Sequence, residues 1–192
     1  SIDEIIDMSN RAISLLKLKD NIKLKDCLLF QENSYVFLVS DIGRIIKFRI
    51  TKDAFPFMGK LAQGSNIIKL FPGENIIQAL NIKEKEINDL ILVTGKGKYI
   101  KYNTKNIRLS KKGELGIIGI TLLDNKKTQD RVINCFKNNQ YVYIKTNQER
   151  YEKLDKNQIN NSSYKKEKKL NIELNNNELI QSIFSIIMPE KS

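Results

Sequence analysis

Apolar residues in this chain come in short runs, each closed by a polar turn and followed by a basic return. Tyr35-Val36-Phe37-Leu38-Val39 leads into Ser40-Asp41-Ile42-Gly43, and the chain comes back as Arg44-Ile45-Ile46-Lys47-Phe48. Two short apolar runs about a glycine turn predict a β-hairpin. The pattern recurs. Leu90-Ile91-Leu92-Val93 precedes Thr94-Gly95-Lys96-Gly97-Lys98-Tyr99-Ile100-Lys101-Tyr102, and Tyr141-Val142-Tyr143-Ile144 precedes Thr146-Asn147-Gln148-Glu149-Arg150-Tyr151-Glu152-Lys153-Leu154. The shared pattern is Ser/Thr, two residues, Gly, Arg/Lys, two residues, Lys, and a large apolar residue; Glu149 replaces Gly in the third copy. The copies begin at residues 40, 94 and 146, steps of 54 and 52 residues, and a fixed period of that size marks a propeller or an array of supersecondary units.

A second landmark keeps the same period. The segment from Asn66 to Ile77 recurs as Ile117–Asp124 with Arg131-Val132-Ile133, as Leu170–Leu174 with Glu178-Leu179-Ile180, and near the start as Ile13–Ile22. Alternation at Ile118 and Ile120, or at Ile172 and Leu174, is the two-residue period of a half-buried strand. Each unit then has about four short strands: one before the hairpin turn, one after it, one near a middle loop and a tail strand. One such sheet cannot bury both faces, so neighbours must stack. The expected fold is all-β and propeller-like, with about three whole four-stranded blades plus the tail of another. The expected divisions are 1–26 as the tail of a preceding blade, blades at 27–78, 79–134 and 135–187, and a frayed tail at 188–192. Residues 1–12 also have roughly helical apolar spacing, but the end of a truncated unit is the preferred reading.

Charge sharpens the picture. The chain has 33 Lys and Arg against 22 Asp and Glu, a formal net charge of +11. Residues 1–31 are balanced, so the excess lies in the whole repeats. Residues 94–116 carry Lys96, Lys98, Lys101, Lys105, Arg108, Lys111 and Lys112 against Glu114 alone. A basic stripe at a repeated phase points to a polyanion, most simply nucleic acid. The competing source is an AT-rich gene, which raises Lys over Arg without explaining the phase. There is no histidine, which removes the commonest general base and metal ligand. No phosphate-cradling glycine loop is present, because Gly95-Lys96-Gly97-Lys98 is a hairpin turn. Cys27, Ala79, Cys135 and Ser182 fall in matching slots after the apolar tail strand, so both thiols are read as small buried packing groups rather than ligands or nucleophiles. No apolar run approaches the length of a membrane span. With no signal region at its start, the chain reads as a piece of a longer intracellular protein.

The three in-phase hairpins resemble the C-terminal domain of the A subunit of bacterial DNA gyrase and of the matching topoisomerase IV subunit. That family's repeat has an apolar strand, Thr-x-x-Gly-Arg/Lys-x-x-Arg/Lys, a basic Gly-containing loop, and an apolar strand ending near Asp/Glu. Ser40 to Phe48, Thr94 to Tyr102 and Thr146 to Leu154 match it in turn, and Phe57–Gly64 and Leu109–Gly116 look particularly like cyanobacterial members. The resemblance covers nearly the whole chain. It implies a β-pinwheel, here a partial ring, whose basic rim bends double-stranded DNA for strand passage. It also implies partners in the rest of the A subunit and in the ATPase B subunit, with ATP and Mg used elsewhere in the parent type IIA topoisomerase and no cofactor in this part. The parent's place is the cytoplasm, at the nucleoid. The wrapping box Gln-Arg-Arg-Gly-Gly-Lys-Gly has no intact copy; Met58–Gly64 and Ser110–Gly116 are degenerate versions. None of the seven tyrosines has the family's catalytic context, so Tyr99, Tyr102, Tyr141, Tyr143 and Tyr151 are read as packing residues and no catalytic residue is assigned.

The expected DNA contacts are Arg44, Lys47, Lys60, Lys98, Lys101, Lys111, Lys112, Arg150, Lys153, Lys165 and Lys166. Contacts of this kind neutralise phosphates, depend steeply on salt and read little sequence. Glu149 and Glu152 weaken the case for the third unit. Charge reversal at Lys98, Lys101, Lys111 and Lys112 is expected to lower DNA affinity without lowering stability. The rival class is a propeller used as a protein-interaction scaffold, its charge serving solubility.

Overall fold

The computed structural model describes residues 14–29, 33–56, 58, 61–86, 89–122, 130–138 and 141–186. The readings made for residues 1–12, Lys60 and the tail from 188 lie outside them. All three expected hairpins are present. β1 (Ser34–Ser40) pairs with β2 (Arg44–Arg49), Val39 opposite Ile45 at the turn. The apolar run after them is β3 (Ile76–Lys83), which lies antiparallel along the other side of β1. The next copy is β4 (Asp89–Thr94) and β5 (Lys98–Asn103), with β7 (Val132–Lys137) on β4; the last is β8 (Tyr141–Thr146) and β9 (Tyr151–Lys153), with β11 (Ile180–Ile186) on β8. The unit boundaries read at 78/79 and 134/135 fall inside β3 and β7.

The fourth strand does not come from within the unit. β6 (Ile117–Ile118) pairs with β2 of the preceding hairpin, and β10 (Lys168–Lys169) pairs with β5. The sheets are therefore ordered β3-β1-β2-β6 and β10-β5-β4-β7, while the third, β11-β8-β9, has three strands among the described residues. The second and third units each lend a short strand to the one before, so consecutive sheets are linked by backbone as well as by packing.

Packing explains the unbroken apolar runs. Leu90 and Leu92 belong to a core with Phe37, Val39 and Ile45 of the first sheet. Their neighbours Ile91 and Val93 belong to a second core with Val142, Ile144 and Ile183 of the third. A strand covered on both faces has no solvent side, so its pattern is continuous rather than alternating. Among the tyrosines expected to pack, Tyr99 and Tyr102 are buried and Tyr143 half-buried, but Tyr151 is exposed.

A bulge recurs where each hairpin's Ser or Thr meets its tail strand: Ser40 pairs with Ile76, Thr94 with Val132 and Thr146 with Ile180, each skipping one residue. The register after the bulge corrects the cysteine slot, because Ser182 pairs with Lys145 as Gln78 pairs with Val39 and Asn134 with Val93. Ala79 and Cys135 face Leu38 and Leu92, but Ile183, not Ser182, faces Ile144. Cys135 is buried, and burial pushes its thiol well above the ordinary value; Cys27 is exposed.

Candidate nucleic-acid interface

The basic positions of the hairpin motif divide by depth. Arg44, Lys47 and Lys101 are only 5%, 6% and 4% exposed. These three, expected at the DNA surface, are turned into the protein instead. Their roles are visible in their partners. Arg44 donates Nε to Glu74 Oε1 at 2.7 Å and Nη2 to the second carboxylate oxygen, a forked charge-assisted pair. It also donates Nη1 to the Leu115 carbonyl at 2.7 Å and Nη2 to the Lys69 carbonyl at 2.8 Å, and its guanidinium stacks on Phe71 at 4.8 Å.

The arrangement repeats in the third unit. Arg150 donates Nε to Glu178 Oε1 at 3.0 Å and Nη2 to Oε2 at 3.2 Å, and it pairs with Glu152 as well. Both acids accept a nearby amide, from Phe71 to Glu74 and from Asn175 to Glu178, at 2.8 Å. The motif's Ser or Thr belongs to the same assembly: Ser40 Oγ accepts the Arg44 amide, Thr94 Oγ1 that of Lys98, and Thr146 Oγ1 that of Arg150. Burial pushes the Glu74 carboxyl upward, but hydrogen bonds from Arg44, Ser40 and the Phe71 amide outweigh it and leave it lowered. Arg150, with Thr146 and the Asn175 amide, holds Glu178 down to about 2.

The second unit departs from this because lysine has no fork. Asp130 is buried and accepts the Lys96 amide at 3.1 Å. Lys98 turns instead to Glu167 at 2.7 Å and to the Thr121 carbonyl at 2.6 Å. It is therefore engaged across units rather than free on a rim.

The motif's second cation caps the next unit. Lys47 Nζ donates to the carbonyls of Thr104 and Ile107 at 2.9 and 3.1 Å, around the 3-10 turn Thr104–Asn106. Lys101 Nζ donates to the Asn160 carbonyl at 2.9 Å, at the end of α1 (Lys156–Asn160). A cation at these carbonyls satisfies acceptors that the helical turn leaves open. Burial lowers the Lys47 pKa, and aromatic faces of Tyr35 and Phe37 lie 4.5 and 5.5 Å from its Nζ.

The exposed candidates are Lys111, Lys112, Lys153, Lys165 and Lys166, with Arg150 half-buried. Four of them sit in two loops that are structural counterparts. The Ser110 amide donates to the Lys47 carbonyl at 2.7 Å, and the Lys165 amide donates to the Lys101 carbonyl at 2.9 Å. Lys47 and Lys101 occupy the same motif position, so Ser110 matches Lys165 and Lys111 matches Lys166, and the pairs Lys111-Lys112 and Lys165-Lys166 leave the outer edges of β2 and β5 within one residue of each other in phase. Lys105 is exposed as well. Arg108 is paired with Glu114 at 2.9 Å.

The sequence reading missed the acids. Glu74, Asp130 and Glu178 each precede a tail strand at a fixed phase, and that recurrence was the available signal. The described residues contain no cluster of three or more His, Cys, Asp or Glu suited to a metal, and no helix long and apolar enough to cross a membrane.

Comparison with known proteins follows the same lines. No curated protein sequence matches the chain. Among solved structures it is similar to a C-terminal domain of DNA topoisomerase IV, with a TM-score of 0.75 and 17% identity over 90% of this chain and 52% of that one. It is similar to a DNA gyrase A C-terminal domain, with a TM-score of 0.53 and 22% identity over 80% of this chain and 46% of that one. It is also similar to the E. coli ParC C-terminal domain, with a TM-score of 0.63 and 16% identity over 93% and 72% of the two chains. The chain thus spans about half the length of the first two. The family model described as the DNA gyrase C-terminal domain, beta-propeller, matches residues 34–83 and 88–139, more than half of the sequence and the whole of the first two hairpins. The chain belongs to the DNA gyrase C-terminal domain family.

Proposed function

We propose that this chain is a non-catalytic DNA-binding and DNA-bending surface of a type IIA topoisomerase A subunit, which presents duplex DNA for strand passage. The observation that carries this reading is the pair of exposed lysine loops, 111–112 and 165–166, within one residue of the same phase in two consecutive units. Cations repeated at a fixed step along stacked sheets can follow a phosphate backbone over an arc. Bending a short duplex costs up to several kcal/mol, roughly, and further phosphate contacts offset it. Little base preference follows, because phosphate contacts position without reading sequence.

The chemistry of strand passage belongs, on this reading, to other parts of the parent enzyme in the cytoplasm, together with the ATPase subunit, ATP and Mg. The reading is tested by titrating the protein onto relaxed circular DNA at several salt concentrations, then adding a topoisomerase that relaxes trapped writhe. Steep salt dependence with a shift in linking number is the expected result. Steep binding without a shift would reduce the role to positioning DNA, and no binding at low salt would leave an interaction scaffold.

A further inference from the structure

We propose that the cleft between the turn 51–55 and the loop 109–112 binds a small aromatic anion, its rings among the apolar walls and its acid group on Lys111 and Lys112. The cleft lies within the chain, between parts of the first and second units, and has a volume of about 370 Å3. Small-ligand sites run from roughly 300 to 1,000 Å3, mostly apolar with a few placed polar groups. Phe48, Ala54, Phe55, Ile67 and Leu109 supply the apolar walls. Phe48 is only 6% exposed and forms the bottom. Its ring meets that of Phe55 edge to face, with 5.9 Å between centres, and a third ring can join such a pair by its edge or its face.

Backbone bonds hold the walls in place. The Phe55 amide donates to the Thr51 carbonyl at 2.8 Å, and the Ala54 amide donates to Thr51 Oγ1 at 3.2 Å. Across the cleft the Ser110 amide donates to the Lys47 carbonyl at 2.7 Å, and the Gly113 amide donates to the Ile67 carbonyl at 2.9 Å. A site formed in advance has little ordering cost to meet on binding.

Charge selects the ligand. Arg49, Lys111 and Lys112 line the cleft, and among the described residues no Asp or Glu does. Arg49 is paired with Glu84 at 3.1 Å, so a carboxylate or sulfonate falls to the two exposed lysines. The next unit treats the matching place differently. Lys165 matches Ser110, so Tyr164 matches Leu109. Tyr164 donates its hydroxyl to Asp89 Oδ1 at 2.8 Å, and Lys101 Nζ lies 4.8 Å from its ring centre. Leu109 is instead 50% exposed. Covering it and the neighbouring apolar walls with a ring removes them from water, which drives binding.

The test titrates the full 192-residue chain with 2-naphthoate and with its neutral analogue 2-naphthamide, by isothermal titration calorimetry. Naphthoate should bind at one site with a Kd of about 1 mM or tighter, and the amide about tenfold more weakly. Ala54→Trp fills the cleft from an exposed position, so it should keep the melting temperature and lose naphthoate binding. Lys111→Gln with Lys112→Gln should bind naphthoate no better than the unmodified chain binds the amide. A ligand held on those lysines also competes with DNA, a consequence that rests on the DNA reading. Saturating naphthoate should weaken duplex binding by the unmodified chain and not by Ala54→Trp. Failure of the DNA reading would show as no duplex binding even without naphthoate, and it would leave the direct titration standing. No naphthoate binding, equal affinity for the amide, or undiminished naphthoate binding by either variant would overturn the proposal. Naphthoate that binds without weakening a duplex the chain does hold would place its acid group away from the lysines, and would overturn it as well.

Discussion

Gly43 and Gly97 hold the same turn with different amounts of room. Both have positive φ, +86° and +75°, where a side chain is strained. A Cβ on Gly43 would lie 2.7 Å from the Ile120 carbonyl oxygen, backbone lent by the next unit, whereas a Cβ on Gly97 would meet only side-chain carbons of Leu174 and Ile180 at ordinary contact. Gly97→Ala should therefore cost about 1–2 kcal/mol, the conformational strain alone. Gly43→Ala should cost distinctly more, measured by denaturant unfolding of both variants. Equal losses would mean that the Ile120 contact is not what demands glycine there. The third copy accepts Glu149 at φ +59°, its carboxylate on Lys145 at 2.7 Å, and that hydrogen bond raises the Lys145 pKa.

At the scale of the element, the hairpin motif encodes a latch. Its hydroxyl receives the first amide of the return strand, its arginine forks onto an acid placed just before the tail strand, and its lysine caps a helical turn of the next unit. The latch has a pH signature. Glu74 and Glu178 are both depressed below the ordinary value of 4.5, Glu178 to about 2. A depressed carboxyl contributes stability that is present above its unfolded pKa and lost as pH falls through the folded one. Stability should accordingly be level above about pH 4.5 and decline toward about pH 2. In Arg150→Gln the Glu178 share of that decline should shrink, so unfolding midpoints at pH 7 and pH 3 should differ less than in the unmodified chain; an unchanged difference would remove Arg150 as the cause.

The hairpins were legible because apolar runs and turn residues are local signals. The lent strands were not: β6 and β10 are two residues each, and what makes them strands is the edge of another unit. The inward placement of Arg44 and Lys47 has a related reason. Positions three apart in a strand point to opposite faces, so Arg44 and Lys47 could not both lie on one solvent rim, and their repetition recorded the latch. The loop lysines lie outside the strands, and their charge was legible as exposure.

Across the whole molecule, sheets stack through two apolar cores, and strand cations tie each sheet to the next. Loops 111–112 and 165–166 hold exposed lysines beside those sheets. This division of labour is the central claim, and duplex-DNA binding by fluorescence anisotropy over a salt series tests it most directly, with thermal unfolding of the same samples. Reversing Lys111, Lys112, Lys165 and Lys166 to Glu should weaken binding and flatten the salt slope by about 0.9 for each phosphate no longer neutralised, with the melting temperature unchanged. Lys101→Glu should lower the melting temperature, because it places a second negative charge beside Asp89 and the Asn160 carbonyl. Unchanged affinity and slope in the loop variant would contradict the account.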